Sequence, residues 1–186
     1  PLPVEVSIHS SNPPNPWAGY KKCLEIAATG NGFTHFVVLQ DDVVLCRDFP
    51  LAVTRAIEDR PEQVLSLWVG GLPGRTRKDF WIAQGKREPW SPIYFRDIHH
   101  VVALVWPRPL AEEFLEWTEE SRLPGDCRAQ QSDDAIVGAW ARRTKKQFWA
   151  CVPCLVEHND DPDVVPSTIG RPQGDKGRQA IAFAGS

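Results

Sequence analysis

FTHFVVLQDDVVLC, residues 33–46, is the stretch that decides the fold. It opens on β-branched and aromatic residues without polar alternation, as a strand covered on both faces in the middle of a parallel sheet does. Asp41 and Asp42 then stand at its carboxyl end. Before it, WAGYKKCLEIAATG (17–30) repeats apolar Trp17, Tyr20, Leu24 and Ala27 or Ala28 at helical spacing, with Gly30 and Gly32 as the stop. VEVSIHS (4–10) alternates like a half-solvated strand, and SNPPNP is the loop between them. The order is strand, helix, strand.

Downstream the alternation continues. DFPLAVTRAIEDRP (48–61) reads as a helix with Asp48 as its cap, and VLSLWVGG (64–71) as a strand. The segment from Gly71 to Pro92 is polar and interrupted, so a long surface loop is expected. HHVVALVWP (99–107) is a strand, PLAEEFLEWTEES (109–121) an amphipathic helix, and SDDAIVGAWARRTK (132–145) a helix entered through Ser132. FWACVPCLVEH (148–158) closes as a strand, and the Pro- and Gly-rich remainder is a tail that wraps or frays. This order predicts a single α/β domain with a mainly parallel central sheet flanked by helices, whose ligands gather at the carboxyl ends of the strands.

Composition narrows the function classes. The 186 residues hold 21 Lys+Arg against 24 Asp+Glu, a formal charge of −3, and are 42% hydrophobic, which excludes a disordered chain or a strongly basic nucleic-acid binder. The longest apolar runs, such as Val101–Trp106, are strand-sized, so no membrane span is expected. PLPVEVSIHS lacks the features of a secretory leader, so the expected compartment is cytoplasmic. Cys23, Cys46, Cys127, Cys151 and Cys154 have no regular spacing and suit reduced structural thiols; the Cys151–Cys154 pair lacks further zinc ligands nearby.

The two carboxylates carry the chemistry. Charges where a buried strand emerges call for a positive partner, and a divalent cation bound through one or two carboxylates and substrate phosphate oxygens supplies one. An exposed turn satisfies the same residues.

LQDDV, SDDAIVGAWA and LVEHNDDPDVVPSTIG together resemble the GT-A glycosyltransferases, nucleotide-sugar enzymes with a DxD or related motif, especially short bacterial and phage forms with an LEDD or LQDD variant. Gln40 departs from the acidic first position. The resemblance implies a GT-A (Rossmann-like) domain that moves a sugar from a nucleotide-sugar, by preference a UDP-sugar, to an acceptor hydroxyl, with inversion. It implies Asp42 and His158 as ligands of Mn²⁺ or Mg²⁺, the imidazole favouring Mn²⁺. Asp41 would support the metal or the ribose, and Asn159, Asp160 and Asp161 would orient His158. Asp134, with Asp133 as fallback, would be the general base, although acids in a first helical turn are also favoured by the helix dipole. Ser7, His9, Trp17 and Lys21 would meet the nucleotide, and Arg171 and Lys176 the diphosphate; Trp17 and Lys21 equally fit a core aromatic and a solvated charge.

The acceptor is open between a saccharide and a hydroxymethylated base in phage DNA. Arg75, Arg77, Lys78, Lys86 and Arg87 with Phe80, Trp81 and Trp90 suit an anionic or flat acceptor, and Arg142, Arg143, Lys145 and Lys146 form a second basic run. Rival readings are a nucleotidyltransferase, which should show a Gly-rich phosphate loop that SNPPNP does not offer, and a non-catalytic saccharide- or nucleic-acid-binding module.

Overall fold

All five residues of β5 (Ala103–Pro107) are buried, because helices cover both of its faces. Leu104 and Trp106 point to one side, into a core shared with α1 (Pro16–Thr29), α4 (Arg108–Glu120) and α5 (Asp133–Thr144). Ala103 and Val105 point to the other, against Val53 and Ala56 of α2 (Phe49–Asp59). The alternation is the period-2 rule of a strand read from both sides. A computed structural model describes residues 15–30, 32–70, 74–98, 101–120, 132–159, 180 and 182–185.

The sheet also contains β1 (His35–Leu39), β3 (Leu65–Ser66), β4 (Trp90–Ile93) and β6 (Phe148–Cys151), in the order β1-β5-β3-β6-β4. β5 is antiparallel to both β1 and β3, β3 is parallel to β6, and β6 is antiparallel to β4. Thus β1, β3 and β6 share one direction and β4 and β5 run the other way. This corrects the expectation of a mainly parallel sheet: the domain is α/β, but its sheet is mixed. An unbroken apolar run reports that both faces of a strand are covered; it does not report direction.

A second correction falls between Gly71 and Pro92. Where a surface loop is expected, Arg75–Lys86 forms α3, which leads into β4. Thr76, Phe80 and Ala83 are buried at helical spacing, so the helix is amphipathic despite its polar composition. Asp48 holds the N-cap position of α2, but in a left-handed conformation with no side-chain capping bond. At α5 the expected cap is present: the Ser132 hydroxyl accepts from the Ala135 N–H at 3.4 Å.

Packing on the α1/α4/α5 side is aromatic. Trp106 lies 5.2 Å from Phe114 and 5.5 Å from Trp140 between ring centroids. Arg108 closes the turn after α1 by donating to the carbonyls of Ala28, Gly30 and Phe33. At Gly138 the α5 backbone rides directly on the chain before β5: a Cβ there would stand 2.7 Å from the Ile98 carbonyl oxygen. Gly138→Ala is therefore expected to force the helix outward and destabilise the fold by about 1–3 kcal/mol, read from denaturant unfolding.

β2 (Val43–Leu45) and β7 (Val156–His158) form a separate antiparallel ribbon, with Val43 opposite His158. Leu67 ties it to the sheet by accepting from the N–H groups of Leu155 and Val156 at 2.9 and 3.1 Å. Part of the tail returns to the body. Ala184 donates to the Cys154 carbonyl, Cys154 donates to that of Ala182, and Ala180 donates to the Glu157 carboxylate.

Candidate functional site

The carboxyl end of β1 lies beside the amino end of β5, since Leu39 pairs with Ala103. The chain then turns: Gln40 donates its N–H to the Val102 carbonyl at 2.9 Å, and Asp41 and Asp42 occupy the turn into β2. The ribbon places His158 across from that turn. Its Nδ1 stands 3.3 Å from Asp42 Oδ2, with side-chain exposures of 6% and 16%. Two residues far apart in sequence are thus joined at the mouth of the sheet.

Neighbours hold this pair in place. The Asn159 N–H donates to the Asp42 carbonyl at 2.7 Å, fixing the backbone of the turn. The imidazole meets the Trp68 ring edge-to-face at 5.6 Å, and Trp68 stands two residues beyond the end of β3. Glu157 accepts from the His158 N–H at 2.8 Å and from the Ala180 N–H at 2.7 Å, linking the ribbon to the returning tail. Sequence reading missed Trp68 and Glu157. Trp68 is one more apolar residue in a strand run, and Glu157 earns its place through a contact 23 residues away.

The start of α5 reaches the same edge. Asp134 Oδ1 accepts from the Val101 N–H at 2.7 Å, and Val102, the next residue, accepts from Gln40. The acidic turn and the acidic helix start are therefore connected through two consecutive backbone positions. Asp133 is buried, with Oδ1 accepting from the Asp134 N–H at 3.0 Å. Burial pushes its carboxyl above the usual range, partly offset by backbone hydrogen bonds. An acid whose folded pKa is raised stabilises the fold most below its unfolded pKa, and that contribution is lost as pH rises through the folded value. Asp133→Asn, which keeps the oxygen acceptor, is expected to gain stability relative to the native chain as pH rises above the ordinary Asp range, checked by unfolding at acid and neutral pH.

The remaining expected residues separate. Trp17 packs on Tyr20 and edge-on to Phe114 at 5.8 Å, against the α1/α4/α5 core. Lys21 bonds Glu119 of α4 and lies 3.6 Å from Glu25; the Glu119 hydrogen bond raises its pKa. Both join α1 to its neighbours and are not gathered at the Asp42–His158 edge by any contact described. Ser7, His9, Asp160, Asp161, Arg171, Lys176 and Cys127 lie outside the described residues. Of the basic and aromatic set, Phe80 is core, and the Trp90 indole N–H bonds Asp59 while its ring receives the Arg60 guanidinium. Trp81 is exposed. Cys151 and Cys154 are buried free thiols; burial raises both, Cys154 to about 12, so they are inert packing residues at neutral pH.

Whether a cation suits Asp42 and His158 follows from the donor set. One carboxylate and one imidazole are donors that a divalent cation accepts, without selecting one metal. Asp42 Oδ2 and His158 Nδ1 are 3.3 Å apart and would hold the cation from adjacent positions. The described residues include no group of three or more His, Cys, Asp and Glu side chains placed to hold a metal. In comparisons with known proteins, no family model matches this chain and no curated sequence matches it.

Proposed function

We propose that this chain is a metal-dependent glycosyltransferase of GT-A type that moves a sugar from a nucleotide-sugar, by preference a UDP-sugar, to an acceptor hydroxyl. The observation that carries the reading is the approach of His158 Nδ1 to 3.3 Å from Asp42 Oδ2 at the carboxyl end of β1. The topological setting supports it, because β1, β3 and β6 share one direction and their carboxyl ends lie on this edge, the ligand-binding side where strands run parallel. The link from Asp134 through Val101 and Val102 to Gln40 supports it as well, bringing a carboxylate-bearing helix start to the same place.

In this reading Asp42 and His158 hold the cation, and Trp68 keeps the imidazole ring in orientation. When bound, the cation neutralises charge on the departing nucleoside diphosphate. Asp41 assists at the metal or the ribose. Asp134 takes the acceptor hydroxyl proton as the new bond to the anomeric carbon forms and the bond to the diphosphate breaks. A saccharide hydroxyl is favoured over a hydroxymethylated DNA base as acceptor, because Phe80 and Trp90 are engaged within the fold and leave Trp81 as the exposed aromatic of that set.

Calorimetric titration of UDP and GDP, with Mn²⁺ and then with chelator, tests the reading. Metal-dependent UDP binding, followed by donor hydrolysis without acceptor, is the expected result. No binding of either nucleotide would replace it with a non-catalytic binding module.

A further inference from the structure

We propose that the outer face of α3 is a docking surface for an anionic membrane, a peripheral contact independent of the sugar-transfer reading. α3 turns Thr76, Phe80 and Ala83 into the core, so its opposite face carries Arg77, Lys78, Trp81, Ile82 and Gly85, all exposed. Trp81 and Ile82 are 47% and 42% exposed, large apolar side chains on consecutive helical positions. From Arg75 to Arg87 there are five basic residues and one acid, Asp79, within a chain of net charge −3. This element therefore carries a local positive excess within an acidic chain.

Internal pairing uses only part of that charge. Arg75 lies 3.6 Å from Asp79 and stacks on Tyr94, and Lys86 lies 3.8 Å from Glu88. Among the described residues no ion pair involves Arg77, Lys78 or Arg87. A Trp and an Ile lying between long basic side chains match an interfacial helix: the apolar pair enters the headgroup boundary while the Lys and Arg heads stay with the phosphates. Single-stranded nucleic acid fits less well. It needs successive stacking rings, and here Phe80 is core, Trp90 is bonded to Asp59, and the apolar neighbour of Trp81 is aliphatic. The contact is distinct from spanning, since no helix among the described residues is long and apolar enough to cross a membrane.

Vesicle flotation of the full chain tests this, with phosphatidylcholine alone and with about one third phosphatidylglycerol, at low and high salt. Binding to the anionic vesicles that salt removes is the expected result. Each basic residue near the surface is worth about fivefold in partition, so Arg77→Glu with Lys78→Glu should weaken binding by at least about 25-fold. Trp81→Ser with Ile82→Ser should weaken it while leaving its salt dependence in place. All four positions are exposed, so unchanged melting is expected and separates lost docking from lost folding. No vesicle binding, or binding that neither double variant alters, overturns the proposal. Salt-sensitive capture of a single-stranded oligonucleotide through the same residues, without vesicle binding, also overturns it.

Discussion

Asp42→Ala is expected to abolish the metal-dependent part of UDP binding, lowering affinity in the presence of Mn²⁺ by at least about 100-fold, since even the outer partners of metal ligands are worth 10–100-fold. Without metal the variant and the native chain should bind UDP alike. Removing the carboxylate leaves His158, 6% exposed, without the partner 3.3 Å away, so some loss of stability accompanies the change. Asp42→Asn separates the two effects. The amide preserves a polar partner for the imidazole and the backbone bond from Asn159 is untouched, but the anionic ligand is gone. It should melt near the native chain and still lose the Mn²⁺ response. Equal UDP affinity with metal and with chelator in the native chain would sink the assignment, as would an undiminished metal response in Asp42→Asn.

The sequence made some of this legible. Periodicity placed α1, α2, α4 and α5, and the break from Val38 and Leu39 to Asp41 and Asp42 placed the end of β1. These are local properties, set by side-chain spacing within a few residues. Strand direction is not local: β5 is apolar throughout because helices cover both of its faces, and it would read the same if parallel to β1 and β3. α3 escaped notice because three buried positions are diluted by the charges on its outer face. At the site, Asp42 and His158 were each readable as the end of a strand, whereas their meeting depends on the register Val43 opposite His158, which no spacing reports. The role of Trp68 depends on that same meeting, and Lys21 shows the converse: a cation well placed on a helix is taken by Glu119 from another helix.

Asp134→Asn is expected to lower sugar transfer by about 10²–10⁴-fold while leaving UDP affinity unchanged, because the contribution of a general base disappears and the donor site does not. The substitution suits the local structure. Asp134 Oδ1 accepts from the Val101 N–H at 2.7 Å, and an Asn oxygen accepts the same bond, so the path through Val102 to Gln40 and the acidic turn stays in place. Asp134→Ala loses that bond too and should add about 1–3 kcal/mol of instability, the usual cost of leaving a donor such as the Val101 N–H without its acceptor. A catalytic role therefore separates the two variants from each other in stability but not in turnover. A purely structural role separates them in both: Asn would transfer sugar like the native chain, and only Ala would fall, in step with its stability. That pattern would leave Asp134 as an anchor of α5, in keeping with the preference of helix starts for acids, and would remove it from the reaction. The control is Asp133→Asn. Its carboxyl is buried and bonded to the Asp134 N–H, so it should shift the pH dependence of stability and leave UDP binding intact.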